Sequence, residues 1–144
     1  MKKLIGNLLL VTGILVYWNC VGPEEPLDGL IEDMPAVVNT ANAFTFNLKG
    51  NKYTFDENYT LSMQADTNSV LTTSLIVQNW TGRDTTRIFM IDEGDTTYSW
   101  FQITGNMIYT AVDSLKDGMQ NIPKKILFEG INFTGTLLFT LAKD

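Results

Sequence analysis

The chain has 144 residues and a formal net charge of −6, with 10 Lys and Arg against 16 Asp and Glu. It contains no histidine and one cysteine, which excludes Ser-His-Asp and Cys-His catalysis, the usual zinc sites and an intrachain disulfide. The acidic balance argues against nucleic acid as a partner and against electrostatic adhesion to anionic lipid. We expect no cofactor.

The first twenty residues have the pattern of a bacterial lipoprotein signal. Two lysines precede an apolar run at residues 4–18, and Cys20 follows. A run of this length matches the apolar core of a signal peptide and is shorter than the roughly 20 residues that span a bilayer. The pattern predicts a signal peptide over residues 1–19 and a lipidated Cys20, which places the protein at the bacterial outer membrane through its lipid.

The residues directly before the cysteine depart from the usual cleavage motif of lipoproteins. Trp18 and Asn19 stand where small residues are preferred. Looser motifs of this kind are typical of Bacteroidota and spirochaetes, and the alternative is a short anchor that is not cleaved.

Residues 20–43 differ in character from the apolar run. Prolines at positions 23, 26 and 35 break up any helix, and five acidic residues at positions 24, 25, 28, 32 and 33 repel one another. We therefore predict a semi-extended tether. Its acidic cluster resembles the export tag of surface-exposed Bacteroidota lipoproteins, and an ordinary solvated linker is the alternative.

Residues 44–144 are predicted to form one antiparallel β domain. Apolar and polar residues alternate with period two, as in Phe44, Phe46 and Leu48, and turn residues interrupt the pattern at short intervals. We predict a tight turn at residues 49–52 and bulges or turns at Gly130 and Gly135. Eight or nine short strands with hardly any helix predict a β-sandwich or small β-barrel. The segments that carry this pattern, ten in number and so slightly more than the predicted strands, are residues 44–48, 53–55, 59–65, 70–80, 86–91, 97–103, 107–112, 126–128, 131–133 and 137–141.

Both ends of this domain resemble a family of small Bacteroidota lipoproteins of unknown function. That family opens with "LPPAT…G.NTF…VNGK" and closes with an "isGtFsF" strand. Here Gly50-Asn51 replaces the family's Asn-Gly, and Ala41 replaces its glycine. The resemblance implies a lipid anchor, a short tether and a β domain, and it supplies no catalytic or binding residues. The matching segments are Met34-Pro35-Ala36, Thr40, Asn42, Phe44, residues 48–52 and residues 131–139.

Three Asp-Ser/Thr tripeptides match the pattern at which Bacteroidota attach O-glycans to exported proteins. The candidate acceptors are Thr85, Thr96 and Ser114, and all three lie in predicted turns or loops. Because the chain is rich in threonine, chance accounts for one or two of these matches.

The acidic residues suggest two kinds of chemistry, each with a simpler alternative. Asp92, Glu93 and Asp95 form an acidic tip that could offer oxygens to calcium, but they lack the alternating register of a calcium loop. A solvated turn explains them equally well, and we predict no metal site. A paired-carboxylate hydrolase needs two acids on opposite sides of a cleft. Its candidates are Asp56, Glu57, Asp66 and Glu129.

The aromatic residues of the middle strands are candidates for a ligand platform. Trp80, Tyr98 and Trp100 could stack against sugars, and Tyr98 and Trp100 are predicted to share a strand face. The alternative is that these rings fill the core of a small sandwich.

The predicted function is non-enzymatic binding or a structural role at the cell surface, in contact with a protein or a glycan. The alternative is a carrier of a small apolar molecule, with a cavity lined by Phe46, Met63, Met90 and Phe139. The third hypothesis is a carboxylate-dependent hydrolase.

Overall fold

The structure is a computed structural model that describes residues 29–115 and 122–144. The predicted signal peptide, Cys20 and the first part of the tether lie outside the described residues. Among the residues that are described, no helix is long and apolar enough to cross a membrane.

Over the described residues the domain is all-β and consists of seven antiparallel strands that form one curled sheet. β2 and β7 are much longer than the rest and pair with each other along most of their length. The strands are β1 Ala36–Asn39, β2 Ala43–Thr60, β3 Val70–Gln78, β4 Thr86–Asp92, β5 Thr97–Ile103, β6 Met107–Ser114 and β7 Pro123–Lys143.

The two long strands are shared by two layers that pack face to face. The first layer contains β1, the first half of β2, the second half of β7, β3 and β6, in that order. The second layer contains the second half of β2, the first half of β7, β4 and β5. The predicted sandwich or barrel is thus a half-barrel in which the same two strands run through both layers.

Two glycines allow β2 and β7 to bend where they pass from one layer to the other. A Cβ on Gly130 would lie 2.4 Å from the ring of Phe55, and a Cβ on Gly50 would lie 2.7 Å from the ring of Phe133. Each ring therefore covers a glycine of the opposite strand, and the two rings meet edge to face, with their centroids 6.1 Å apart. Only glycine allows so close an approach.

The turn predicted at residues 49–52 is wrong, because β2 continues through it. The pairing with β7 only shifts register, between Gly50 and Tyr53 and again between Tyr53 and Phe55. Lys52 takes a positive φ of 59°, as a bulge residue can. Gly130 and Gly135 also lie within β7, where they border these two register shifts, so the bulge predicted near each of them is confirmed and the turn is not. The three segments predicted between residues 44 and 65 therefore contribute to one strand, β2, and the three between residues 126 and 141 to another, β7.

The sheet also begins earlier than predicted, inside the range 20–43 assigned to the tether. β1 pairs with β2 from Ala36 to Asn39, and Asn51 donates hydrogen bonds to Asp33 and Glu32. Residues 61–65, predicted as strand, run outside the ladders. Leu61 and Met63 are still buried in the core, which explains the period-two signal there.

The core is built around a cluster of phenylalanine rings between the layers. The rings of Phe46 and Phe128 stack with centroids 4.1 Å apart, and Phe139 meets Phe128 edge to face at 5.4 Å. All three side chains are fully buried. The contact between Phe46 and Phe128 joins the two layers directly.

Candidate functional site

The outer face of the second layer carries an apolar row across three neighbouring strands. Trp100 of β5 lies directly opposite Phe89 of β4, and Phe89 lies opposite Leu127 of β7. Trp100 is 56% exposed, which is unusual for the largest side chain. Phe89 and Leu127 are half-buried.

A polar row runs beside the apolar one, two residues away on each strand. Gln102, Arg87 and Glu129 are cross-strand neighbours in this row, and Asp56 of β2 follows Glu129. Adjacent strands are roughly 4.8 Å apart, so the two rows form a surface with one apolar and one polar stripe.

Trp100, Phe89, Arg87 and Gln102 line a shallow groove of about 260 Å³. An indole face is electron-rich and attracts the weakly positive C–H edges of a ligand. The guanidinium of Arg87 provides hydrogen-bond donors, and the amide of Gln102 provides both donors and acceptors. This groove can therefore bind a molecule with an apolar face and a hydroxylated edge.

Tyr98 and Trp100 do not share a face, contrary to the prediction. The pairing of β4 with β5 shifts register between Met90 and Ile91. This bulge directs Tyr98 inward, where it lines a cavity of about 40 Å³ with Phe101. The bulge breaks the period-two relation between positions 98 and 100.

The hydroxyl of Tyr98 is buried and has no hydrogen-bond partner among the described residues. Burial raises the pKa of Tyr98 well above its usual value, and the nearby charges of Asp113 and Asp92 raise it further. Asp113 also lines the cavity. These contacts place Tyr98 in the interior, away from the Trp100 groove.

Trp80 does not join Trp100 either. It is half-buried and packs against the core, its indole N–H is buried without a partner among the described residues, and a Cβ on Gly82 would lie 3.2 Å from the indole nitrogen. Its backbone N–H donates a 2.8 Å hydrogen bond to Asn106. Of the three predicted platform residues, only Trp100 is placed to contact a ligand.

The acidic tip between β4 and β5 is a hydrogen-bonded turn. A carboxylate oxygen of Asp92 accepts hydrogen bonds from the N–H groups of Gly94 and Thr96, at 2.8 and 2.9 Å. The other two acids form ion pairs, Glu93 with Lys124 at 2.8 Å and Asp95 with Lys125 at 2.6 Å. Among residues 29–115 and 122–144, no three carboxylates come together as a metal site would require.

The hydrolase candidates do not face each other across a cleft. Asp56 and Glu129 are direct cross-strand neighbours on one sheet face. Glu57 accepts a 3.3 Å hydrogen bond from the hydroxyl of Tyr59, and Asp66 accepts hydrogen bonds from the N–H of Asn68 and from Ser69. Glu57 and Asp66 are thus each held by a local hydrogen bond.

The three candidate glycan acceptors are exposed. Thr85 precedes β4, and Thr96 lies in the turn before β5. Ser114, predicted in a loop, is instead the last residue of β6, because its pairing with Val70 extends the ladder to that position.

The cavity expected for an apolar-ligand carrier does not form around the four predicted residues. Phe46 and Phe139 both close against Phe128, and Met63 is buried in the core cluster. Met90 does line the 40 Å³ cavity, but that volume is close to the roughly 30 Å³ that one water molecule takes up in the liquid.

Phe89 and Arg87 contribute to the groove but were not singled out from the sequence. Alternation along β4 places Arg87, Phe89 and Ile91 on one face. Because two of the three residues on that face are apolar, the sequence pattern predicts that the face is buried. Pairing with β5 was the missing information, because it brings Trp100 opposite Phe89.

No protein-family model matches this chain, and no curated protein matches it. Among solved structures, the chain is similar to one described under "Bacillus endospore appendages form a novel family of disulfide-linked pili". The two share 12% sequence identity and a TM-score of 0.43, over 75% of this chain and 88% of the other.

Proposed function

We propose that this protein is a lipid-anchored β domain of the bacterial outer membrane that binds carbohydrate through the Trp100 groove and catalyses no reaction. The observation that carries the proposal is the exposed Trp100 beside Phe89, bordered by Arg87 and Gln102. Trp100 continues into the apolar row of Phe89 and Leu127, and a contiguous apolar row rimmed by polar residues is typical of an interaction site.

The chemistry of the groove favours a neutral sugar over other ligands. A pyranose has one face rich in C–H groups that stack on an indole and a rim of hydroxyls that hydrogen-bond to polar side chains. Arg87 lies between Gln102 and Glu129 in the polar row, so donors and acceptors alternate along it. The net charge of −6 disfavours polyanions.

The anchor is proposed from the sequence of residues 1–20. A single acyl chain holds a protein only marginally at a membrane, whereas two or more hold it stably, and a mature bacterial lipoprotein carries three. Replacing Cys20 with Ser should move the protein from the detergent phase to the aqueous phase on detergent partition. Unchanged partition would contradict lipidation. We likewise propose that the chain is related to the small Bacteroidota lipoproteins that its two ends resemble.

Affinity gel electrophoresis of the full chain tests carbohydrate binding. The probes are three neutral polysaccharides, a β-1,3-glucan, an α-mannan and an arabinogalactan, each cast into the gel. We expect at least one to retard the protein, Trp100→Ala to abolish the retardation and Trp100→Phe to retain part of it.

Ile131→Ala is the matched control, because Ile131 is also 56% exposed but lies at the bend. It should migrate like the wild type. No retardation by any of the three polysaccharides, or equal retardation of Trp100→Ala and the wild type, would contradict carbohydrate binding at this groove.

A further inference from the structure

β6 is an edge strand of the first layer. It pairs with β3 without any register shift from Val70↔Ser114 to Val77↔Met107, and its other side has no strand partner among the described residues. Edge strands usually carry protection against pairing with another chain, such as lysine, proline, a bulge or short length. β6 has none of these in its eight residues.

The other edges of the sheet are better protected, by short length, by a bulge or by two adjacent charges, whereas β6 carries one charge. β1 has only four residues, and β5 is paired to β4 through a bulge. The second half of β2 carries Asp56 and Glu57. β6 is thus the long, regular and nearly uncharged edge, with Asp113 as its single charge.

The direction of the backbone groups of β6 follows from one hydrogen bond beyond its end. The N–H of Leu115 donates to the carbonyl of Ser69, at 3.0 Å, so Leu115 points its backbone groups toward β3. Because these groups alternate along an antiparallel strand, Met107, Tyr109, Ala111 and Asp113 also bond β3. Ile108, Thr110 and Val112 therefore point their N–H and C=O groups to the open edge.

The same three residues present an apolar surface on the outer face. Ile108 is 78% exposed and Val112 is 66% exposed, with Thr110 exposed between them. Addition of another strand requires backbone groups that are free to form hydrogen bonds and side chains whose burial is favourable. The edge of β6 provides the first, and Ile108 and Val112 provide the second.

We propose that β6 pairs antiparallel with β6 of a second copy of this chain, with the two-fold axis at Thr110. In this register Thr110 lies opposite the partner's Thr110, and Ile108 lies opposite the partner's Val112. All three outward-pointing residues then exchange backbone hydrogen bonds, about six in all. The apolar side chains bury each other on one face of a sheet that continues through both copies.

A second copy is the occupant because β6 is complementary to itself about Thr110, with Ile108 opposite the partner's Val112, and the charges do not oppose this register. Two copies each carrying −6 repel over most of their surface, so they approach best along a nearly uncharged edge. The register places Asp113 opposite the partner's Met107, and the two Asp113 side chains lie about 20 Å apart along the strands. That distance exceeds the Debye length of about 8 Å at physiological salt.

A second register would also bring the outward-pointing N–H and C=O groups of the two copies together. The side chains match less well in it. Shifting the axis from Thr110 to Ala111 would place Ile108 opposite the partner's Ser114 and Val112 opposite the partner's Thr110. Both apolar residues would then face polar ones. The Thr110 register also pairs Tyr109 with the partner's Ala111, a large residue with a small one.

Disulfide cross-linking of the full chain tests the pairing and its register. Opposite residues of an antiparallel pair lie about 4.5–5.5 Å apart between Cα atoms, within the usual range for a disulfide. In a Cys20→Ser background, which leaves no native thiol, we expect Thr110→Cys to oxidise to a covalent dimer at least tenfold faster than Thr96→Cys, which is exposed in a turn. A mixture of Ile108→Cys and Val112→Cys chains should form the mixed dimer in preference to either homodimer.

A charge on the edge should separate the copies. Wild-type protein should sediment as a dimer at about 50 μM, Ile108→Lys as a monomer, and Ile131→Lys as a dimer. Ile131 is the matched control because it is an exposed apolar residue away from β6. Circular dichroism checks that each variant keeps its sheet.

Three results would overturn the proposal. These are a monomeric wild type with slow Thr110→Cys oxidation, a dimer that survives Ile108→Lys, and cross-linking of Thr110→Cys to a different protein in membranes. Carbohydrate binding rests on Trp100 in the second layer and is measured separately, so either proposal can fail without the other.

Discussion

The centre of the domain and the corner between β5 and β6 are packed very differently. At the centre, Phe46, Phe128 and Phe139 are fully buried and in ring contact. At the corner, Tyr98 and Phe101 line a cavity, and the hydroxyl of Tyr98 has no partner among the described residues.

The pairing of the strands explains this difference. β2 and β7 pair over many residues, so every second side chain points into the same space between the layers and the rings interlock. β5 and β6 are joined by a short turn but form no ladder with each other in the described structure. Their inward side chains are held from one side only, and packing there is less complete.

Truncating a central ring should have the largest effect on stability. We expect Phe128→Ala to lower the free energy of unfolding by about 3–5 kcal/mol, since it removes a buried ring and leaves a cavity. Phe101→Ala, at the half-buried corner, should cost about 1–2 kcal/mol. Urea denaturation of both variants measures the difference, and equal losses would remove the contrast between the two regions.

The bend should tolerate no added methyl group. Gly130→Ala places a Cβ against the ring of Phe55, and overpacking of this kind costs about 1–3 kcal/mol. Gly105→Ala is the matched control, because no atom lies within 4 Å of its added Cβ. Thermal unfolding of the two variants should separate them, and a stable Gly130→Ala would show that Phe55 can move aside.

Alkaline pH should destabilise both regions through their tyrosines. Burial, with the charge of Glu57, raises the pKa of Tyr59 to about 12, and burial raises that of Tyr98 as well. A raised pKa means that the fold favours the neutral phenol. This stabilisation is complete below the unfolded pKa of about 10 and is lost as pH rises beyond it.

Absorbance of the phenolate checks this titration. In the wild type, ionisation of these two tyrosines should be delayed and should coincide with unfolding. Tyr98→Phe should move the alkaline unfolding midpoint upward. An unchanged midpoint would mean that Tyr98 ionises without opening the corner.

The smallest effect is expected for removal of single hydroxyl groups at neutral pH. Tyr98→Phe removes a buried hydroxyl without a described partner and should be neutral or stabilise by up to about 1 kcal/mol. Tyr59→Phe removes the hydrogen bond to Glu57 and should destabilise by about 0.5–1.5 kcal/mol. A large loss in Tyr98→Phe would show that its hydroxyl has a partner.

Local pattern predicted most strands but misjudged where they are joined. Gly50-Asn51 in a polar stretch is typical of a hairpin turn, yet β2 runs through it because β7 offers a continuous partner. The tether was predicted from its prolines and acids, but Val37 and Val38 within it pair with Phe46 and Thr45. Four residues give too short a pattern to show this.

The candidate site was predictable only in part, for the same reason. Trp100 was found because a tryptophan in a strand is conspicuous. Its neighbour Phe89 comes from another strand, and the inward turn of Tyr98 results from a bulge in the pairing. Neither the pairing of Phe89 with Trp100 nor the bulge at Tyr98 can be predicted from the seven residues of β5 alone.

The sequence alone determined the all-β class, because period-two alternation is a local property that each strand carries by itself. The pattern of residues 1–20, from which we predict a lipoprotein signal and the location, is likewise local. Only the tertiary structure decided which aromatic rings meet, which face Tyr98 takes and which strand is left at the edge. Those depend on pairing between residues distant in the chain, where bulges shift the register and the balance of packing over the whole sheet selects the outcome.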